Sequence, residues 1–210
     1  RDVTQAIGKI PFSFEWLGAK RAIVSAHKFG GPKGVGALLL EDNIPLSPLV
    51  AGGGQEMGRR SGTENIVGAV GMAAAAAAAL VDLEKGVWSR IEELRNILEN
   101  SIEESFNETI FVGRGTKRLP NTSLIINAGW QGETQVMQLD LAGYAVSAGS
   151  ACSSGKVKGS AVLQSMGYDD EQSKSALRVS LGVSTTIEDI NGFVGAYCKA
   201  GKKFISRRSA

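Results

Sequence analysis

The sequence predicts an α/β protein, and three observations support this prediction. Short apolar runs rich in β-branched residues, typical of buried strands, occur at residues 22–25 and 122–127. Segments with helical spacing of apolar residues, most clearly residues 83–106, lie between such runs. The length of 210 residues suits one large or two small domains, and the composition changes near residue 82. We therefore predict two domains, residues 1–82 and 83–210, the second an α+β or α/β sandwich.

The first part is predicted to contain two strands followed by a long loop and a helix. A strand ends near Asp2 and enters a short turn. The apolar runs at residues 22–25 and 35–40 are strands on either side of a turn rich in glycine and proline. The glycine-rich loop at residues 43–62 carries positive charge and backbone N–H groups that suit an anion. Thr63 is predicted to cap an alanine-rich helix over residues 64–80.

The second part is predicted to alternate helices and strands after the long amphipathic helix. Strands are predicted at residues 111–112, 122–127, 144–147 and 177–181. Helices are predicted at residues 132–141 and 161–166, and a last helix, capped by Thr185 and Thr186, runs past Tyr197.

Composition argues against several classes of protein. A net charge of +2 does not favour a nucleic-acid or membrane surface, and the apolar residues 73–79 are too few to span a bilayer. One histidine and no CxxC motif do not predict a metal site. Two cysteines and no signal peptide predict free thiols in a reducing cytoplasm. The chain begins with Arg1 and no initiator methionine, which is expected of a processed or truncated product.

Lys28 is the first candidate for chemistry. It follows the strand at residues 22–25, where burial would lower the pKa of its amine, and a neutral amine forms a Schiff base with an aldehyde. The histidine of the chain, His27, is adjacent to it. The same residues also fit a surface turn with a solvated lysine, so both readings stay open from these residues alone.

Four further side chains are considered for a functional role. Cys152 lies among small residues at positions 148–155, as an accessible thiol or as a packed loop cysteine. Cys198 lies on the last helix, where packing is its predicted role. Arg178 within a strand is either an edge residue in solvent or a buried residue whose planar guanidinium binds a carboxylate. Asp2 is either a strand-end carboxylate in water or a buried anion paired with a cationic ring.

Six stretches together resemble the cysteine desulfurases, which belong to the class V aminotransferase group of fold-type I pyridoxal-phosphate (PLP) enzymes. Their order and spacing follow the family over nearly the whole chain. The stretches are DVTQAIGK at residues 2–9, SAHKFGGPKG at 25–34, GGGQEMGRRSGTEN at 52–65, RLPNT at 118–122, SAGSACSSG at 147–155 and LRVSLG at 177–182. The resemblance implies that residues 1–82 are the C-terminal part of the PLP-binding large domain. It implies that residues 83–210 are the small C-terminal domain, which carries the catalytic cysteine loop.

The resemblance assigns five residues to the cofactor. Lys28 would hold PLP as a Schiff base and later move protons, and Asp2 would keep the pyridine nitrogen protonated, so that the ring accepts electrons. Gln5 would bond the ring oxygen, and Ser25 and His27 would hold the phosphate.

Three more residues are assigned outside this set. Thr63 would reach the phosphate of a neighbouring subunit, which implies a homodimer. Arg178 would bind the substrate carboxylate through two hydrogen bonds. Cys152 would attack the sulfur of the cysteine adduct and keep it as a persulfide.

The reaction implied by the resemblance converts L-cysteine to L-alanine and passes the sulfur to an acceptor protein, either an iron–sulfur scaffold or a thiolation enzyme. The alternatives are a selenocysteine lyase, an aminotransferase of the same fold, or an inactive fragment without cofactor. An aminotransferase has no need of the Cys152 loop. Because members of the family are considerably longer than 210 residues, this chain alone is expected to bind PLP weakly or not at all.

Overall fold

The computed structural model of the chain describes residues 1–149 and 159–208. It confirms the predicted α/β class, because helices pack with two separate β-sheets. The chain divides into two compact units, Arg1–Trp88 (unit 1) and Ser89–Ala210 (unit 2). The division therefore falls later than residue 82, the position at which the composition changes.

Unit 1 is built on a small sheet at the start of the chain. Strands β1 (Arg21–Ser25) and β2 (Gly36–Leu40) pair antiparallel, with Ser25 opposite Gly36. Asp2 forms a parallel bridge with Ile23, so the first residues of the chain pair with β1 as well. The core of the unit is formed by the buried side chains Val3, Ala22 and Val24, with Ile7, Phe12, Phe14, Ala37, Leu39 and Met72 packed around them.

A single 3-10 turn, Ala26–Lys28, follows β1 directly. Ala26 is fully buried, and its carbonyl accepts hydrogen bonds from the N–H groups of Phe29, at 3.1 Å, and Gly31, at 2.9 Å. The turn is therefore closed by its own backbone, and the residue at its end, Lys28, has a defined starting direction for its side chain.

Helix α1 (Ile66–Glu84) packs closely against the turns of unit 1. Gly8 has a φ of +77°, and a Cβ there would lie 3.0 Å from Cβ of Phe29 and 3.1 Å from Cβ of Ala79. Glycine is thus required at position 8 both by its left-handed conformation and by the close approach of α1.

The residue that caps α1 differs from the predicted one. The side chain of Asn65 accepts the N–H of Gly68 at 3.0 Å, and the helix starts at Ile66, so the predicted cap at Thr63 is wrong. A capping oxygen must reach an N–H two or three residues further along, which Asn65 does and Thr63, which precedes the helix by more than one residue, does not.

Replacing Asn65 with alanine is expected to lower the free energy of unfolding by about 1 kcal/mol, because the N–H of Gly68 loses its partner. Thr63→Ala is the matched control, and it is expected to change the free energy of unfolding by less than about 0.5 kcal/mol. Urea unfolding of both variants measures the difference. Equal effects of the two substitutions would contradict the assignment of Asn65 as the cap.

Helix α1 is also long and apolar enough to cross a membrane, by length and composition alone. This finding differs from the expectation drawn from residues 73–79. Little of α1 is buried within the chain, and its exposed side chains include Ile66, Val67 and Val70. The core helix of a soluble protein meets the same two criteria.

The elements of unit 2 in chain order are α2 (Val87–Ser105, which begins just before the unit), β3 (Ile110–Phe111), β4 (Thr122–Ile126), α3 (Gly132–Asp140), β5 (Ser147–Ala148), α4 (Ala161–Ser165), α5 (Asp170–Lys174), β6 (Ala176–Ser180) and α6 (Ile187–Arg208). Its strands form a four-stranded antiparallel sheet in the order β3-β4-β6-β5. Most of the helices and strands predicted for this part are thus confirmed, with ends shifted by a few residues.

Two elements of unit 2 differ from the sequence-based prediction. The predicted strand at residues 144–147 is reduced to Ser147–Ala148, because the N–H of Tyr144 bonds the carbonyl of Leu139 and closes a turn after α3. Helix α5 was not predicted. It is too short to show apolar periodicity, but a capping box between Asp169 and Gln172 marks its start.

The core of unit 2 combines the apolar side of α2 with an aromatic cluster. The predicted stripe on α2 is buried at Ile91, Leu94, Leu98 and Ile102. The aromatic cluster is formed by Phe106, Trp130, Phe193, Tyr197 and Phe204.

Two polar groups of α6 lie at this cluster or next to it in the chain. Burial raises the pKa of the Tyr197 hydroxyl, which accepts a hydrogen bond from Asn127. Cys198, next in the chain, is a half-buried free thiol.

Candidate active site

Two turns of unit 1 follow the carboxyl ends of two neighbouring parallel segments. The segment at Asp2 runs parallel to β1, with the N–H of Val3 bonded to the carbonyl of Ile23 at 3.2 Å. Parallel segments end at the same edge of a sheet, so the turn after Asp2 and the turn at Ala26–Lys28 lie at one edge. Ligands of open α/β sheets bind at this edge.

A buried lysine that sequence reasoning did not single out joins the two turns. Lys9 is 8% exposed, and its Nζ donates to the carbonyl of Gln5 at 2.9 Å and to the carbonyl of Lys28 at 3.3 Å. Both carbonyls thus lie within hydrogen-bond reach of one ammonium group. The structure therefore brings Gln5 and Lys28 together, although they are far apart in the chain.

The Lys28 side chain is exposed, as in the solvated-lysine alternative and not as in the buried one. Buried residues alternate along β1 at Ala22 and Val24, Ala26 at the start of the turn is also buried, and Lys28 lies at the end of that turn. The buried lysine of this region is Lys9, whose pKa is lowered by burial and by the charge of Lys28. The Lys28 amine is therefore accessible to a ligand from solvent.

Asp2 is also exposed, so it is a strand-end carboxylate rather than a buried anion. The backbone N–H of Thr4 donates to Oδ1 of Asp2 at 2.9 Å. Hydrogen bonds from the side chain and the N–H of Thr4 lower the pKa of the Asp2 carboxyl. Asp2 consequently presents a negative charge at neutral pH.

Ser25 and His27 form a polar pair at the start of the turn. The Ser25 Oγ and the His27 Nδ1 are 2.9 Å apart and hydrogen-bonded, with the half-buried serine behind the exposed imidazole. Lys28 follows in the same turn, so a hydroxyl, an imidazole and an amine are adjacent. These are groups that donate hydrogen bonds to a phosphate.

The loop before Thr63 is organised by Arg60. The Nη1 atom of Arg60 donates to the carbonyls of Ser61, Gly62 and Thr63 at 3.2, 2.8 and 3.3 Å, and its Nε donates to Glu56 at 2.9 Å. The sequence indicated the positive charge and the backbone N–H groups of this loop but not the hydrogen bonds that Arg60 forms within it. The Arg60 guanidinium is thus hydrogen-bonded to Glu56 and to the carbonyls of the three residues that follow it. The Thr63 side chain is exposed.

Arg178 lies on an interior strand of the sheet of unit 2. It pairs with Leu124 of β4 on one side and Ser147 of β5 on the other, so the edge-residue alternative is wrong. Its side chain is half-buried, and Nη2 donates to the Ser147 Oγ at 3.4 Å. No ion pair of Arg178 occurs within residues 1–149 and 159–208, so its guanidinium has donors for a carboxylate.

Cys152 lies outside the described residues, so the structure does not place it. The preceding residue that is described, Gly149, donates its N–H to the carbonyl of Ala176 at 3.0 Å. Ala176 and Arg178 lie on the same strand, β6. The chain therefore enters the segment that contains Cys152 beside the strand that carries Arg178.

A buried ion cluster that the sequence reasoning missed holds the RLPNT segment. Glu99 of α2 is 1% exposed, and it accepts hydrogen bonds from Arg118 Nη2 and Ser123 Oγ, both at 2.7 Å. Arg95, 4% exposed on the same helix, donates to the carbonyl of Leu119 at 2.8 Å. A sequence signal existed, because Arg95 and Glu99 continue the helical spacing of Ile91 along the buried stripe.

The charges of this cluster determine the ionisation of Glu99. Burial raises the pKa of its carboxyl, but hydrogen bonds from Arg118 and Ser123, with the charges of Arg118 and Arg95, outweigh burial. The pKa of Glu99 therefore lies below its usual value, and the group is a carboxylate at neutral pH. Among the described residues, no group of three or more His, Cys, Asp or Glu side chains could hold a metal ion.

Comparison with known proteins gives consistent matches. The family profile described as Aminotransferase class-V matches residues 1–193. The cysteine desulfurase IscS of Dictyoglomus turgidum is 39% identical over 190 residues, which are 90% of this chain and 48% of that protein. The IscS-like cysteine desulfurase of Mycobacterium tuberculosis is 36% identical over 214 residues, covering 100% of this chain and 54% of its own length.

Solved structures also match most of this chain and about half of their own length. The NifS-like protein from Rickettsia africae superimposes with a TM-score of 0.86 at 32% identity and covers 96% of this chain and 52% of that chain. A structure of SspA in complex with cysteine has a TM-score of 0.64 at 26% identity, over 88% of this chain and 50% of that chain. The chain thus spans about half the length of the relatives that it matches.

Proposed function

This chain belongs to the aminotransferase class-V family, and we propose that it forms the lysine-bearing and sulfur-transferring part of a PLP-dependent cysteine desulfurase. The observation that supports this proposal best is the shared strand edge of unit 1. An exposed Lys28 amine and an ionised Asp2 carboxylate follow neighbouring parallel segments there. The two turns are held together through Lys9.

The side chains at this edge fit PLP by their chemistry. PLP, when bound, supplies an aldehyde that condenses with a primary amine and a ring that accepts electrons from the substrate. Lys28 would supply the amine, and the Asp2 carboxylate would hold the proton on the ring nitrogen. Gln5 would bond the ring oxygen, and the hydrogen-bonded pair of Ser25 and His27 would hold the phosphate.

Unit 2 supplies the substrate and sulfur functions in this proposal. Arg178 binds the carboxylate of L-cysteine through guanidinium donors that form no ion pair within the described residues. The sulfur of L-cysteine leaves its carbon and joins Sγ of Cys152 as a persulfide, while a proton takes its place on carbon and L-alanine leaves. Lys28 is the group that moves this proton.

The partners of the protein follow from the same proposal. The persulfide on Cys152 is transferred to an acceptor protein of iron–sulfur cluster assembly or of thiolation. In this proposal Thr63 contacts the phosphate bound by a second subunit, which makes the protein a homodimer, and two cysteines, too few for a disulfide framework, favour a reducing cytoplasm. The structure holds Thr63 exposed at the end of the loop that Arg60 organises, which is compatible with such a contact.

Capture of PLP by borohydride tests the cofactor site. Reduction is irreversible, so it accumulates even a weakly bound adduct, and peptide mass spectrometry then identifies the modified lysine. We expect the adduct on Lys28, with Lys20 and Lys33, both exposed in the same unit, modified far less. Equal modification of the three lysines would contradict the proposal.

Cys152→Ser is expected to abolish sulfide release from L-cysteine, because the serine hydroxyl cannot accept sulfur as a persulfide. Sulfide is measured with a thiol reductant present. The matched control is Cys198→Ser, which removes the half-buried thiol of α6 and is expected to keep the activity. An aminotransferase would retain its activity in Cys152→Ser, and a selenocysteine lyase would be recognised by preference for selenocysteine. A wild-type chain without activity would support the inactive-fragment alternative.

A further inference from the structure

We infer that Lys9 is a positioning residue for Lys28, in that its buried ammonium fixes the peptide unit from which the reactive side chain of Lys28 extends. This inference rests on the proposed function of Lys28. The Nζ of Lys9 donates to the Lys28 carbonyl at 3.3 Å and to the Gln5 carbonyl at 2.9 Å. The side chain is 8% exposed, so water competes little for these two bonds.

The peptide unit between Lys28 and Phe29 is held at both of its polar atoms. Its carbonyl accepts from Lys9, and its N–H, which belongs to Phe29, donates to the Ala26 carbonyl at 3.1 Å. Rotation of this peptide plane would break both bonds. Because the plane is attached directly to Cα of Lys28, Lys9 limits the directions that the Lys28 side chain can take.

Burial of a charged ammonium group raises the free energy of the folded state, so the position of Lys9 requires an explanation. Burial and the charge of Lys28 lower the pKa of Lys9, which reflects this cost. Within residues 1–149 and 159–208 no carboxylate pairs with Lys9, so only backbone carbonyls hold its charge. An apolar side chain of equal length would fill the space without this cost, and what it would lose is the link between the two turns.

The link matters because the proposed site is divided between these turns. Asp2 precedes the first turn and Gln5 lies within it, whereas Ser25 precedes the second turn and His27 and Lys28 lie within it. A displacement of about 1 Å between reacting groups can reduce a rate by about a hundredfold. Lys9 sets the distance between the turns through the carbonyls of Gln5 and Lys28, and so sets where the amine meets a ligand held by Asp2.

Lys9→Met is the primary test, because methionine has a similar length and no donor. We expect the Phe29 and Gly31 amides, which close the turn, to exchange hydrogen about tenfold faster. We also expect capture of PLP on Lys28 by borohydride to slow by about tenfold or more. Lys9→Arg keeps a charged donor and is expected to restore part of both effects. Lys20→Met, which removes an exposed lysine of the same unit, is the matched control and should behave as wild type.

The outcomes separate positioning from simple stabilisation. Faster exchange at Phe29 and Gly31, with unchanged exchange at Val24 and Leu39 in the sheet, supports the inference. Unchanged exchange and capture in Lys9→Met overturns it, and equally faster exchange over the whole unit overturns it in favour of a general structural role. If wild-type protein captures no PLP on Lys28, the proposed function fails, while the exchange measurement on protein without cofactor still decides whether Lys9 fixes the turn.

Discussion

Replacing Glu99 with glutamine is expected to lower the free energy of unfolding of unit 2 by about 3 to 5 kcal/mol, the cost of leaving a buried partner charge without its counterion. Glu99 is 1% exposed and accepts two hydrogen bonds of 2.7 Å, one of them from the Arg118 guanidinium. Glutamine has nearly the same shape, so little of this loss comes from packing. Urea unfolding followed by circular dichroism measures it.

The control for this prediction lies on the same helix. Glu103 pairs with Arg114 at 2.7 Å, but both side chains are largely exposed, at 48% and 36%. Glu103→Gln is therefore expected to cost less than about 1 kcal/mol, as exposed ion pairs do. Similar losses for the two variants would show that burial does not distinguish the two carboxylates.

The stability that Glu99 provides is also expected to depend on pH. Its pKa is lowered in the folded state, so the unfolded chain binds more protons between the two pKa values. The contribution is complete above the unfolded pKa of about 4.3 and is lost as the pH falls through the lower, folded pKa. Unfolding measured between neutral and acidic pH should therefore show a smaller decrease for Glu99→Gln than for wild type.

Lys28→Arg is expected to abolish capture of PLP at position 28, although the positive charge of the side chain remains. A guanidinium does not deprotonate in proteins and forms no Schiff base with an aldehyde, whereas a lysine amine does. Lys9 is not expected to replace it, because its ammonium is buried and bound to two carbonyls. Absorption spectra and peptide mass spectrometry after borohydride reduction measure the loss.

Lys33→Arg is the matched control, since Lys33 is exposed in the glycine-rich turn that follows Lys28. It is expected to keep the wild-type level of captured cofactor. Capture that persists in Lys28→Arg and disappears in Lys33→Arg would move the reactive amine to position 33 and contradict the proposed role of Lys28.

The local elements were largely predictable because their signals are short in sequence. The β-branched run at β1, the amphipathic stripe of α2 and the apolar run at β4 each identify their element without reference to other parts of the chain. The errors occurred where a local signal was ambiguous. Thr63 and Asn65 are both good caps, and only the bond to Gly68 distinguishes them. The segment after α3 has strand-forming residues, but Tyr144 closes the helix instead.

The sequence by itself determined the fold class, the order of nearly all the elements and the family, because hydrophobic periodicity and motifs with fixed spacing are properties of neighbouring residues. Tertiary structure alone decided which lysine is buried, that Arg178 lies on an interior strand, and that Glu99 pairs with Arg118. Each of these outcomes depends on contacts between residues far apart in the chain. Burial and pairing arise when distant segments pack together, and no local pattern of residues specifies the partner that a charged side chain will meet.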